Sequence, residues 1–278
     1  MAVGRCKLTG EIGQLVKSHV LPKALTKPLA SGAPFAQAGR DYPPIKRWDS
    51  WYDSSIVTRS GEDILEGYDT WAIEELRKRK LVWSSWDGAD QLEVSDFECI
   101  PDSDHWGFRT ITDLDGGRLR LFFLSLLWRA AVSEMQEFKE VTLRASELRR
   151  LRRMLLDGDP TPLHRFPLSL TQISTRGPVH NLTPLAQRRP KNPLAPNGAA
   201  IPIFRFYFDG LIAHFHRESS PDEVSQLSGM LLGCDEKLMV STVTYEGSWQ
   251  RENFDELVRE AEKRWPERLD RIPGFGSE

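Results

Sequence analysis

Five arginines with the geometry to grip phosphate are concentrated in one short segment of the chain. They are Arg144, Arg149, Arg150, Arg152 and Arg153. The planar guanidinium group presents its N–H donors as a fork that matches the oxygens of a phosphate. The same region contains acidic residues, including Glu147, so the arginines could equally form a solvated helix face with local ion pairs. The residue types alone leave both interpretations open.

The part of the chain that follows has an uneven charge distribution. No Asp or Glu occurs from Pro160 to Phe208, whereas Arg188, Arg189 and Lys191 lie within this span. Because the formal net charge of the whole chain is −3, the positive region is a local feature. Such a region attracts phosphate even when the protein is slightly acidic overall. Together with the preceding arginines it predicts a nucleic-acid-binding surface, provided that both segments fold onto one side.

Two other groups contain residue types that bind metals. The first combines carboxylates with one imidazole: Asp102, Asp104, His105, Asp113 and Asp115. It could hold Mg²⁺ or Mn²⁺, but the favoured interpretation is a solvated loop whose Asp residues cap turns. In the second group, His214 and His216 are two residues apart on a predicted strand and therefore share a face. No cysteine near them offers a third ligand, so we expect a hydrogen-bonding role.

A further pattern begins near the N-terminus. Cys6-x-x-Thr9 precedes Ser18-His19-Val-Leu-Pro-Lys23, and Thr58-x-x-Gly61-Glu62 opens a predicted helix. On its own, Ser-His-x-x-Pro is also typical of a turn in which the histidine bonds to backbone. The whole order nevertheless resembles the HNH (ββα-metal) endonucleases. Within them it is most similar to bacterial and phage-associated proteins that read Cys-x-x-Cys, Ser-His-Ile-Ile-Pro-Lys and Cys-x-x-Cys-Glu. The likeness covers residues 6 to about 80.

The resemblance implies a role for several residues. His19 takes the place of the general base that activates water, and Glu62 that of a catalytic residue and metal ligand. Lys23 lies where the family could contact a phosphate. Asp49 and Asp53 are the acidic residues expected to complete a site for one Mg²⁺ or Mn²⁺ ion. The implied partner is nucleic acid.

The chain departs from the family pattern where the zinc-binding knuckles should be. Thr9, Thr58 and Gly61 stand in place of three of the four cysteines. A structural zinc needs about four ligands, so we expect none here. No histidine occurs between His19 and His105 to complete the usual catalytic site.

Two hypotheses about function follow. The first is a metal-dependent nuclease that cleaves nucleic-acid phosphodiesters, for which the family likeness implies a setting in prokaryotic or phage defence. The second is a catalytically inactive, HNH-derived subunit that binds nucleic acid or protein within a larger complex. Another protein, or a second copy of this chain in a homo-oligomer, could bind to Phe204, Phe206 and Phe208, if these aromatic residues form an exposed patch.

The elements that must position these residues predict an α+β fold. We expect an N-terminal ββα-metal-like module, a helical middle, and a C-terminal antiparallel sheet with a terminal helix, divided into units at 1–90 and 91–278. The expected helices are Ser60 to about Lys80, with a Ser60–Asp63 capping box, the apolar Leu119–Glu137, Arg144–Leu156 and Phe254–Trp265. The expected strands are Leu81–Trp86, Ile203–Phe208, Leu211–Arg217 and Lys237–Tyr245, with a tight turn at Asp209-Gly210. From Pro160 to about residue 200 we expect a long irregular segment.

Composition limits the setting of the protein. Cys6, Cys99 and Cys234 are the only cysteines in 278 residues, which favours a reducing, cytoplasmic location. We expect no signal peptide and no membrane segment, because the most apolar stretch contains Arg120 and Arg129.

Overall fold

The structure, a computed structural model, describes residues 2–26, 35–190, 200–217 and 219–269. Its strands are β1 (Val3–Arg5), β2 (Ile12–Gln14), β3 (Ser18–His19), β4 (Phe35–Ala38), β5 (Ile45–Arg47), β6 (Tyr52–Asp53), β7 (Glu98–Cys99), β8 (Trp106–Ile111), β9 (Leu168–Ile173), β10 (His180–Leu182), β11 (Leu185–Pro190), β12 (Ala200–Phe208), β13 (Leu211–His216) and β14 (Leu238–Val243). Its α-helices are α1 (Arg59–Lys78), α2 (Gly116–Val132), α3 (Ala145–Asp157), α4 (Pro221–Gln226), α5 (Trp249–Arg264) and α6 (Pro266–Leu269).

The largest sheet has the strand order β11-β12-β13-β9-β14-β8-β7. Neighbouring strands run antiparallel except for β9 and β14, which are parallel. The predicted α+β class is confirmed, but a wholly antiparallel sheet is wrong for this one pair. The reason is topological: β13 runs antiparallel to β9, and the chain then reverses through α4 to place β14 on the opposite side of β9.

Helix α2 lies at the centre of the hydrophobic core. Almost every residue from Leu119 to Ala130 is buried, as the run of apolar residues on all sides predicted. One face of β12 packs against this core through Phe204, Phe206 and Phe208, each of which is fully buried. The condition for these phenylalanines to bind a partner, that they form an exposed patch, is therefore not met. Alternate side chains of a strand point to opposite faces, and this phenylalanine set points inward.

The hairpin between β12 and β13 forms as predicted. Asp209 and Gly210 both have positive φ angles, 47° and 85°, as expected for a tight two-residue turn. A Cβ atom at Gly210 would lie 2.3 Å from the Trp83 ring nitrogen, so a side chain there is excluded by contact as well as by conformation.

Two predicted elements are wrong. The Pro160–200 span contains β9, β10 and β11, where an irregular segment was expected. Strand β9 is buried on both faces, so its Ser and Thr residues do not produce the alternation that marks a half-buried strand. The Leu81–Trp86 segment forms a short 3₁₀ helix at Trp83–Ser85 instead of a strand. There, the backbone N–H of Trp83 donates to the carbonyl of Asp209 at 2.8 Å, and the backbone N–H of Trp86 donates to the carbonyl of Trp83 at 3.1 Å.

The N-terminal part contains short strands that lead into α1. Strands β1 and β2 form an antiparallel hairpin, and β3 pairs with β6 so that His19 lies opposite Tyr52. Helix α1 begins at Arg59, and the Ser60–Asp63 capping box is not its start, because Thr58 is the N-cap and makes no side-chain cap bond. A third sheet joins β10, β4 and β5.

Core residues come from both predicted units, since one cluster joins Cys6 and Leu65 to Phe206 and Val240. The boundary at residue 90 stays a prediction. Within the part of the chain that the structure describes, none of the helices has the length and hydropathy that a membrane crossing requires.

Candidate functional site

His19 and Glu62 line the same open cleft, which has a volume of about 260 Å³. Strand β3 and the turn after it form one wall, and α1 forms the other. The wall from α1 uses residues spaced three or four apart, which lie on one face of a helix: Arg59, Glu62, Glu66, Asp69, Thr70 and Ile73. The structure therefore brings together the two residues to which the resemblance gave catalytic roles.

The imidazole of His19 is half-buried and has one ring nitrogen without a partner. Its Nε2 atom is buried and makes no hydrogen bond to the described residues. The nearest acidic oxygen, Oδ1 of Asp49, is 3.8 Å away, which is too long for a hydrogen bond. Burial lowers the pKa of His19 below its usual 6.5, and the attraction of Asp49 only partly opposes this effect. At neutral pH the ring is therefore uncharged and able to accept a proton.

Glu62 shows the complementary behaviour. Burial raises the pKa of its carboxyl group, while the Ser18 hydroxyl and the Arg129 guanidinium act in the opposite direction. Its Oε2 atom is buried and has no hydrogen-bond partner among the described residues. Titratable groups with shifted pKa values in one cleft are typical of catalytic sites, although structural groups can show the same shifts.

Arg129 of α2 holds the two walls of the cleft in place. This buried guanidinium donates to the carbonyl oxygen of His19 at 3.0 Å and to Oδ2 of Asp69 at 2.9 Å, with a second bond to the same carboxylate. It thereby links β3 to α1. The sequence analysis missed this role, because Arg129 is 110 residues from His19 and was read only as an interruption of an apolar stretch.

Asp49 is neutralised by two lysines. Its carboxylate lies 3.4 Å from Nζ of Lys17 and 3.2 Å from Nζ of Lys23. Burial acts to raise the pKa of Asp49, but bonds from Lys23, the Ser50 N–H and Lys17 outweigh it and lower the pKa to about 2. Lys23 is thus at the edge of the cleft, as expected for a phosphate contact, but it already has an ion-pair partner.

Asp53 lies outside the cleft. Its Oδ2 atom accepts a hydrogen bond from the Ser133 hydroxyl at 2.8 Å, and its Oδ1 atom accepts bonds from the N–H and hydroxyl of Ser55. The predicted metal ligands Glu62, Asp49 and Asp53 are therefore not assembled around one point. Among the described residues, no three His, Cys, Asp or Glu side chains are close enough to hold a metal ion. The donors in this arrangement do not fit the divalent-ion site that the resemblance implies.

The four positions that match zinc-knuckle residues meet around the sulfur of Cys6. The Thr9 N–H donates to Cys6 Sγ at 3.3 Å, and a Cβ atom at Gly61 would lie 2.7 Å from the same sulfur. Burial acts to raise the pKa of the Cys6 thiol, but hydrogen bonds from Thr9 and Thr58 outweigh it and lower the pKa to about 7. Residues 6, 9, 58 and 61, which lie at the four cysteine positions of the family pattern, are thus close together in the structure.

The predicted phosphate-binding arginines of α3 lie in different environments. Arg149, Arg150 and Arg153 are exposed. Arg152 is held by the N-terminal hairpin, since its guanidinium donates to the carbonyl of Thr9 at 2.8 Å and to that of Leu8. It is a structural residue in this fold.

The basic residues of the acid-free span are also divided. Arg188 is exposed on β11, and Arg189 on the same strand lies over the Trp249 ring at 4.5 Å. Arg205 is almost completely buried in β12. Lys191 lies outside the described residues.

Neither of the two other candidate metal groups forms a metal-binding cluster among the described residues. Asp115 caps α2 by accepting a bond from the Arg118 N–H, and Asp102 and Asp113 have positive φ angles typical of turns. His214 and His216 do share a face of β13, and both are buried. All three cysteines are free thiols.

Comparison with protein family models, curated proteins and solved structures gives no match to this chain.

Proposed function

We propose that the His19 cleft is a phosphodiester-cleaving site on an HNH-derived scaffold. The observation that carries the proposal is that His19 and Glu62, far apart in sequence, line one open cleft, each with a buried polar atom lacking a partner. Unpartnered buried polar atoms are unfavourable and are commonly retained where a ligand or substrate completes them. The convergence of residues 6, 9, 58 and 61 supports the scaffold assignment, since these are the knuckle positions of the resembling family.

The proposed chemistry uses the two side chains as base and acid. His19 Nε2 accepts a proton from a water molecule while the water oxygen forms a bond to phosphorus. The bond from phosphorus to the leaving oxygen breaks, and Glu62 in its protonated form donates a proton to that oxygen. Positioned groups of this kind accelerate proton transfer by a factor of roughly 10²–10⁴ each. A cytoplasmic location and a setting in prokaryotic or phage conflict belong to this proposal.

The test is cleavage of supercoiled plasmid, single-stranded DNA and RNA by the wild-type chain, each with Mg²⁺, with Mn²⁺ and with EDTA. We expect His19→Ala to slow cleavage at least 100-fold, on the order of one positioned acid–base group. His105→Ala is the matched control, because His105 is exposed and remote from the cleft. Equal rates for wild type and His19→Ala in every condition would remove His19 from the mechanism. The EDTA arm decides whether a divalent ion is required.

The pH dependence provides an independent check. Because the pKa of His19 is lowered, the base is already deprotonated below pH 6.5. We expect the rate to rise with pH as His19 loses its proton below about pH 6.5, and to fall again as Glu62 loses the proton that it must donate, which gives a bell-shaped profile. A rate that still rises steeply above pH 7.5 would indicate another base.

A second function, nucleic-acid binding without cleavage, is favoured by one observation: both expected acidic partners of Glu62 are already paired, Asp49 with lysines and Asp53 with serines. It predicts binding that weakens as salt concentration rises. Substituting either exposed residue, Arg149 or Arg153, should reduce the salt dependence by about one released counterion. Binding with these properties, combined with no cleavage in any metal condition, would select this function.

A further inference from the structure

A second cavity lies at the N-terminal end of α3 and has a volume of about 450 Å³. Residues from three separate parts of the chain line it: Arg144, the N-cap of α3, and Arg150 within α3; His164 and Arg165 from the loop before β9; and Arg217, which follows β13. It shares no lining residue with the His19 cleft. The two features can therefore be tested separately.

The arginines of this cavity make no ion pair within the part of the chain that the structure describes. None of its four guanidinium groups forms an ion pair with a described residue, in contrast to Lys17, Lys23 and Arg59 of the His19 cleft. The one carboxylate among the described lining residues, Glu147, accepts a hydrogen bond from the backbone N–H of Arg144 at 2.6 Å. The start of α3 adds the partial positive charge of a helix N-terminus.

A buried arginine fixes the loop that supplies two of the lining residues. Arg120 of α2 is completely buried and donates to the carbonyl oxygens of Pro160 and Phe166, both at 3.0 Å, and to that of Arg165. Phe166 has a φ angle of 52°, a conformation that a bulky side chain rarely adopts. Since Arg120 holds this strained loop by its backbone, His164 and Arg165 are pre-positioned at the cavity.

We propose that this cavity binds a terminal phosphate group, carried either by a free nucleotide or by the 5′ end of a nucleic-acid chain. Several guanidinium forks around one concavity suit a phosphate monoester, which has more charge and more free oxygens than a backbone diester. The volume falls within the roughly 300–1,000 Å³ of small-ligand sites. The inference does not depend on the His19 cleft being catalytic.

The experiment measures fluorescence anisotropy of an oligonucleotide labelled at its 3′ end, with either a 5′-phosphate or a 5′-hydroxyl, at physiological salt. The wild-type chain should bind the 5′-phosphorylated probe at least tenfold more tightly. Arg150→Ala and Arg165→Ala should each reduce that preference roughly tenfold, as expected for the loss of one charged hydrogen bond. Arg259→Ala, on the exposed face of α5, removes the same charge elsewhere and should keep the preference. Thermal melting of each variant verifies folding.

Adenosine monophosphate as a competitor identifies the source of the phosphate. Competition supports the site and assigns a free nucleotide as a sufficient ligand. A 5′-phosphate preference without competition supports the site and assigns the chain end. Equal binding of the two probes by wild type, or equal losses in Arg150→Ala and Arg259→Ala, would overturn the proposal and indicate a general electrostatic surface. Retained preference in His19→Ala would show that this site is distinct from the cleft.

Discussion

Introducing three cysteines is expected to create a zinc site beside Cys6. The change is Thr9→Cys, Thr58→Cys and Gly61→Cys in one variant. Because these positions already surround the Cys6 sulfur, four thiolates would be able to meet a single ion. Tetrahedral Zn–S bonds of about 2.3 Å place the sulfurs roughly 3.8 Å apart. The Cβ atom built at Gly61 is 2.7 Å from Cys6 Sγ, so the start of α1 must shift by several tenths of an ångström.

The size of the effect follows from opposing contributions. Thr58→Cys removes the hydrogen bond from the Thr58 hydroxyl to Glu11 at 2.6 Å, which is a small loss because Glu11 is exposed and water can replace the donor. Crowding at residue 61 costs about 2 kcal/mol more. Zinc at a thousand times its dissociation constant stabilises the folded state by about 4 kcal/mol. At roughly 2.1 cal/mol/K of unfolding entropy per residue, this 4 kcal/mol should place the Tm of the zinc-loaded variant roughly 7 °C above that of the zinc-free variant.

The assay combines metal content with stability. We expect one zinc per chain by elemental analysis, a Co²⁺ form with the absorption of tetrahedral thiolate coordination, and a zinc-dependent rise in Tm. The control carries the same three substitutions with Cys6→Ser, which should lower both metal content and the Tm response. If the four-cysteine variant takes up no more zinc than wild type, the correspondence with zinc knuckles is refuted.

Two further predictions concern buried ionisable groups. Burial lowers the pKa of His180 to about 4, so the folded state holds it neutral. Protonation then favours the unfolded chain, and stability falls as pH drops below 6.5 until it levels off near pH 4. From pH 7 to pH 5 the free energy of unfolding should fall by about 2 kcal/mol, as measured in urea titrations. His180→Gln should lack this part of the pH dependence. If the variant has the same pH dependence as wild type, the assignment to His180 is contradicted. Arg129→Met leaves the Asp69 carboxylate unpaired and should destabilise the fold by about 3–5 kcal/mol. In the same titrations Arg129→Met/Asp69→Leu should recover part of that loss, and a fully additive double variant would argue against coupling.

Elements defined by local patterns were the ones predicted from the sequence. The apolar run of α2 and the Asp209-Gly210 turn each carry their signal within a few consecutive residues, and both are present. Strands β9 to β11 were missed because their burial comes from neighbours far away in the chain. In β9, Ser169 and Thr171 are buried beneath other elements, which no local alternation reveals.

The candidate site divides in the same way. His19 and Glu62 were identified by motif, and both line one cleft. Asp49 and Asp53 were expected to join them only because they lie between these two motifs in the sequence. The side chains that bind these two carboxylates could not be predicted from the sequence. Asp53 is bound by Ser133, which is 80 residues away, and Asp49 by lysines on both sides of His19.

Hydrogen bonds cross-link the first hairpin, the start of α1 and α3 beside Cys6. Glu11 accepts bonds from the hydroxyls of Thr58 and Ser60, which ties the first hairpin to the start of α1. Arg152 binds the carbonyls of Leu8 and Thr9 from the other side. A metal ion would supply the same cross-links through four thiolates. In this chain, which has one cysteine at these four positions, Glu11 from the hairpin and Arg152 from α3 make the cross-links, whereas the neighbouring Arg153 is exposed.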